Sequence, residues 1–75
     1  MIKPGQIYRE INAPQYRKPD KRPFVITKIY FTSVYILFGD GDGKRVGFDW
    51  IKGDCELLAE FDTWQEALSH LPNIK

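Results

Sequence analysis

The sequence is poor in the usual staples of a small fold. Its 75 residues include one cysteine, Cys55, so no disulfide can form within the chain. One histidine, His70, lies fifteen positions further on. A Cys/His structural zinc site takes three or four ligands, and this pair supplies two. Long apolar runs are also missing. The longest, Val34–Phe38, has five residues, against the roughly 20 that a membrane-spanning helix requires. Nothing of signal-peptide length follows Met1–Gly5, which together with the lone thiol sets the expectation of a cytoplasmic protein with no membrane partner. A large surplus of either sign of charge is lacking too: eleven basic residues face ten acidic ones, for a formal net charge of +1. That balance speaks against a general polyanion binder.

Aromatic side chains are abundant: five Phe, four Tyr and two Trp. Rings that each bury roughly 150–250 Å² can replace covalent staples in a domain too small for a large aliphatic core. The length fits a single domain over residues 1–75. Gln6–Ile11 alternates as a first short strand, with Ile7, Arg9 and Ile11 on one face and Tyr8 and Glu10 on the other. Residues 12–23 hold three prolines and four cations and read as a loop. Phe24–Phe31 is β-branched and aromatic, and a solvent-facing Lys28 places Val25, Thr27 and Ile29 on the core side. Val34–Phe38 follows Thr32-Ser33 as a third strand.

Gly39-Asp40-Gly41-Asp42-Gly43 has the residues a hairpin turn needs. Lys44–Trp50 alternates as a fourth strand with Val46, Phe48 and Trp50 aligned, and Glu56–Phe61 reads as the fifth. Thr63-Trp64-Gln65-Glu66 is a capping box, and Trp64, Ala67, Leu68 and Leu71 recur at helical spacing before Pro72 and a tail, Asn73-Ile74-Lys75. The predicted architecture is mainly β: a small SH3-like barrel of about five strands with a short C-terminal helix. An OB-like barrel is the alternative, but it needs a helix where the Gly/Asp hairpin stands. The predicted core is Ile7, Val25, Ile29, Val34, Ile36, Phe38, Val46, Phe48, Leu58, Trp64 and Leu68.

Three segments carry a resemblance. Lys3–Tyr8, Arg22–Lys28 and above all Leu57–Leu68, with its Thr-Trp-Gln-Glu-Ala helix, resemble small proteins encoded by phages and prophages of Gram-positive bacteria. The resemblance implies an SH3-like fold and a phage-type origin, and it brings no established activity. The Gly/Asp hairpin and the long proline-basic loop depart from the shorter members.

Motifs for catalysis are weak. Gly39–Lys44 has three residues between its outer glycines and Arg45 after the lysine, so it fails the phosphate-loop spacing. Asp40 and Asp42 are two oxygen ligands in a run too short for a calcium loop, which also needs a distal Glu. Cys55 and His70 lack a third, orienting residue. The expectation is no enzyme, no catalytic residue, no metal site and no cofactor.

Charge order along the chain is more informative. Residues 1–30 hold seven basic and two acidic residues, and residues 31–75 four and eight, balances of +5 and −4. Two candidate surfaces follow. One is the basic loop: Tyr16, Arg17, Lys18, Lys21 and Arg22 suit phosphate contacts with base stacking. The other is acidic and aromatic: Asp49, Trp50, Asp54, Glu56, Glu60 and Asp62 could dock a basic groove. The first expectation is an accessory, adaptor or inhibitor protein that binds a host or phage protein, as a monomer or weak homodimer. The alternative is nucleic-acid binding through residues 16–22.

Overall fold

Five antiparallel strands form one sheet in the computed structural model, which describes residues 1–74; Lys75 of the expected tail lies outside the described residues. In chain order the elements are β1 (Gln6–Glu10), β2 (Phe24–Ile29), β3 (Ser33–Phe38), β4 (Gly43–Gly47), α1 (Phe48–Asp54), β5 (Cys55–Glu60), α2 (Trp64–His70) and a short 3₁₀ turn, Leu71–Asn73. The sheet order is β4-β3-β2-β1-β5. The mainly-β reading with a C-terminal helix is therefore correct. The described pairing leaves β4 and β5 as the two sheet edges, and α1 carries the chain from one to the other.

Both faces of the sheet are covered for part of their extent. The inner face packs Tyr8, Phe24, Ile26, Val34, Ile36 and Phe38 with Ile51 of α1, and Val46, Phe48 and Trp50 lie against them. On the outer face Ile7 and Val25 meet Ala67 and Leu71, with Leu37, Leu58, Trp64 and Leu68 around them. Phe24 is the hub of the inner face: its ring stacks on Trp50 at 5.4 Å and on Tyr8 at 6.3 Å, and meets Phe38 edge-on at 5.6 Å. Such ring pairs add to the free energy of area burial.

Two parts of the sequence reading need correction. The alternation over Lys44–Trp50 does not continue as one strand; it stops at Gly47, and Phe48 begins α1. A short apolar pattern fits either period, and here the helical spacing of Phe48 and Ile51 prevails because both residues reach the inner core. The second correction concerns β2. Ile26 pairs with Ile36 but Lys28 with Tyr35, so Thr27 is an extra, bulged residue. The bulge puts Ile26 on the inner face and Lys28 on the outer one, although two positions separate them. Ile29 then falls opposite Val34 at the strand end, where it is exposed rather than buried.

Of the expected core, Ile7, Val25, Val34, Ile36 and Phe38 are buried, whereas Val46, Phe48, Leu58, Trp64 and Leu68 are half-buried at its margin. Tyr8, Phe24, Ile26, Ile51, Ala67 and Leu71 complete it.

Candidate functional site

The last residue of β1 anchors the site. Glu10 is 2% exposed and accepts hydrogen bonds at both carboxylate oxygens. Arg17 grips it bidentately, Nη1 to Oε1 at 2.9 Å and Nη2 to Oε2 at 2.7 Å. The Asp20 amide donates to Oε1 at 2.8 Å, and the Trp50 indole Nε1 donates to Oε2 at 3.0 Å. Donors of this number favour the ionised form. The Arg17 hydrogen bonds first, then the Asp20 amide and the Trp50 indole, outweigh burial and hold the Glu10 carboxyl down to about 2. One carboxylate thus ties together β1, the long loop and α1.

The proline-basic loop is consequently folded back on the sheet. Its second arginine, Arg22, lies over the Phe38 ring with its guanidinium carbon 4.1 Å from the centroid. Arg22 also pairs with Asp20 at 2.8 Å and Asp40 at 2.9 Å, with Asp42 at 3.8 Å. Hydrogen bonding to Arg22 lowers the Asp20 pKa. Asp40 Oδ1 accepts the Asp42 amide at 3.0 Å, so the Gly39–Gly43 segment is a turn whose carboxylate serves its own backbone and Arg22.

Between this loop, β4 and α1 opens a cleft of about 540 Å³. The buried rings of Phe24 and Phe38 lie beneath it, half-buried Trp50 and Val46 form its apolar wall, and Lys44 stands at its edge beside Arg17, which is paired to Glu10. The Lys44 ammonium is 5.9 Å from the Phe38 centroid and 5.8 Å from that of Trp50, within cation–π reach of both rings. The acidic groups of the cleft are already engaged, Glu10 by its donors and Asp20 by Arg22. Its accessible charge is positive.

The two candidate surfaces are redistributed by the fold. Of the basic loop, Arg17 and Arg22 are committed to internal ion pairs, while Tyr16 is 87% exposed and Lys18 and Lys21 are exposed without an ion pair among the described residues. The acidic residues do not gather on one face. Glu56 pairs with Arg9 at 2.9 Å, and Glu60 with Lys3 at 3.0 Å. Asp54 uses its backbone carbonyl to receive the amides of Ile11 and Asn12. Asp49 and Asp62 are exposed at an end of α1 and beyond β5. Trp50 is half-buried, its indole turned to Glu10. The structure brings Arg17 and Trp50, one from each surface, into a single cleft and adds Glu10, Phe24, Phe38, Lys44 and Val46. The signal in the sequence was a lone carboxylate, Glu10, closing an otherwise half-apolar strand beside a loop rich in cations.

Cys55 and His70 sit on different faces. Cys55 packs at the inner core, and burial, then the charges of Glu10 and Asp54, push its thiol up to about 12. His70 stacks on Phe61 at 4.6 Å beside the outer cluster. Among the described residues no group of three or more His, Cys, Asp or Glu is placed to hold a metal ion, and no helix is long and apolar enough to cross a membrane. Comparison with known proteins finds no matching family model, no matching curated protein and no matching solved structure.

Proposed function

We propose that this protein is a non-enzymatic binding domain that holds a segment of another protein in the cleft between the long loop, β4 and α1. The observation that carries the reading is a preformed cleft walled by half-buried Trp50 and Val46, with Lys44, which has no ion pair among the described residues, at its edge, while Glu10 and Asp20 are neutralised from within. A cleft of this kind suits an acidic segment with an apolar side chain, because burying the Trp50 and Val46 surface supplies affinity while the Lys44 charge selects the partner. The ion pairs anchor the loop, so little ordering cost falls on binding.

The resemblance to phage and prophage proteins extends the proposal: an accessory or inhibitory protein acting on a host or phage protein in the bacterial cytoplasm, as a monomer or weak homodimer. Nucleic-acid binding through residues 16–22 is the second reading, and it rests on exposed Tyr16, Lys18 and Lys21. Two of the four loop cations are spent on internal carboxylates, which favours the first.

Affinity purification of the tagged protein from bacterial lysate, with and without nuclease and beside the Lys44→Glu variant, tests the proposal. The expected result is a stoichiometric protein that survives nuclease and is lost in the variant. Recovery of nothing stoichiometric, or of material that disappears with nuclease, overturns it.

A further inference from the structure

The outer sheet face is only half covered. α2 and the 3₁₀ turn pack over Ile7, Val25 and Leu37, and the other half of the face is left open. Residues directly opposite each other in adjacent strands share a face. Lys28 of β2 pairs with Tyr35 of β3, and Tyr35 with Arg45 of β4, so the three form one row across the sheet. The Thr27 bulge is what places Lys28 in it. Two glycines, Gly43 and Gly47, stand on the same face of β4 on either side of Arg45, opposite Leu37 and Ser33. The Tyr35 ring lies over Gly43: a Cβ there would come within 2.9 Å of the ring.

The charge of this face is one-sided. Neither Lys28 nor Arg45 has an ion pair among the described residues, and β2, β3 and β4 contain no carboxylate. Both cations bracket a second tyrosine. The Arg45 guanidinium carbon is 4.0 Å, and the Lys28 ammonium 5.3 Å, from the Tyr30 centroid. Arg45 spends one N–H, Nε, on Ser33 Oγ at 2.8 Å, which fixes the guanidinium and leaves its remaining donors for a ligand. At the tip of the β2–β3 hairpin, closed by the Tyr30 amide donating to the Ser33 carbonyl at 2.8 Å, Phe31 is 99% exposed. Lys52 shares a shallow cleft with Phe31 and Phe48; the acidic group there is Asp49.

We propose that this open half of the outer face binds single-stranded nucleic acid, with Lys28 and Arg45 on backbone phosphates and Tyr35 under a base. Stacking platforms flanked by cations take single strands with little sequence preference. A duplex offers its bases no access to such rings. The site is separate from the cleft: on β4, Lys44 and Val46 point to the cleft and Arg45 to the outer face, by strand alternation. A protein segment and a single strand therefore have room to bind at once. The site is also separate from the 16–22 loop.

Fluorescence anisotropy with labelled twelve-residue oligo-dT and oligo-U tests this on the full chain. Binding is expected with a dissociation constant of about 10–100 μM at 20 mM salt, weakening with a log–log salt slope of about −1.4 for two phosphates. Lys28→Ala/Arg45→Ala should abolish it, and Lys18→Ala/Lys21→Ala should not. Tyr35→Ala should weaken binding about fivefold or more, the effect of one lost stack, whereas Phe31→Ala, an exposed ring on the α1 side of the hairpin tip, should leave it within about twofold. The dT and U arms distinguish DNA from RNA. Absence of binding at low salt, binding that depends on Lys18 and Lys21 instead, or equal binding of a labelled poly-Glu peptide would overturn the assignment.

Discussion

Glu10 shows how one side chain can organise a surface. Its carboxyl, ordinarily near 4.5, is held to about 2 in the folded chain. A group with a lowered folded pKa stabilises the fold at pH values above its unfolded pKa, and that contribution disappears as pH falls through the folded value. Stability should therefore decline between about pH 5 and pH 2. The lowered pKa values of Asp20 and Glu60 work in the same direction. Glu10→Gln should cost about 1.5–3 kcal/mol at pH 7, the loss of charge-assisted hydrogen bonds, and should flatten the acid limb. Thermal melts of both proteins from pH 7 to pH 2 check this, and parallel acid limbs would show that other groups govern it. Cys55 gives a second residue-scale prediction. With its thiol near 12, almost no thiolate exists at pH 8, so a disulfide reagent should react far more slowly with the native chain than in denaturant.

Among the elements, α2 and the β-turns were the most legible in the sequence, and α1 the least. The Thr63 hydroxyl accepts the Glu66 amide at 3.1 Å, so the capping box was read correctly at its hydroxyl. Thr63→Ala should lower stability by about 0.5–2 kcal/mol in urea unfolding. Gly5 and Gly41 both have positive φ, +95° and +94°, yet they differ in surroundings. A Cβ at Gly5 collides with the Phe61 carbonyl, whereas one at Gly41 meets nothing within 4 Å. Gly5→Ala should therefore destabilise clearly more than Gly41→Ala, where only backbone strain acts. Equal losses in the two variants would show that the crowding at Gly5 relaxes without cost. The α1 segment was hidden because seven residues carry too few turns for a period to emerge. The β2 bulge was hidden because its signal is a register, which exists only once β3 is alongside.

At the scale of the whole molecule, the two oppositely charged halves of the chain do not remain apart. The sheet order sets β1 beside β5, and Lys3–Glu60 and Arg9–Glu56 pair across the halves, as Arg22 does with Asp40. These pairs are exposed or half-exposed, and each contributes little. Packing around Phe24 carries more: Phe24→Ala removes a fully buried ring that touches Tyr8, Phe38 and Trp50. The expected loss of about 3–5 kcal/mol matches what so small a core supplies. The variant should be largely unfolded at 37 °C by circular dichroism, and a native-like melt would reject the ring's central role.

The sequence by itself determined a mainly-β fold, its turns, its C-terminal helix and half of its core, because hydrophobic period, turn residues and caps are local properties. Tertiary structure alone decided where charge is available. Arg17 and Arg22, the most conspicuous cations of the loop, are consumed by carboxylates that strand pairing brings to them, while Lys44, Lys28 and Arg45 remain open on opposite faces. Whether a charge is free depends on its neighbours in space, and those come from register and bulges rather than from order along the chain.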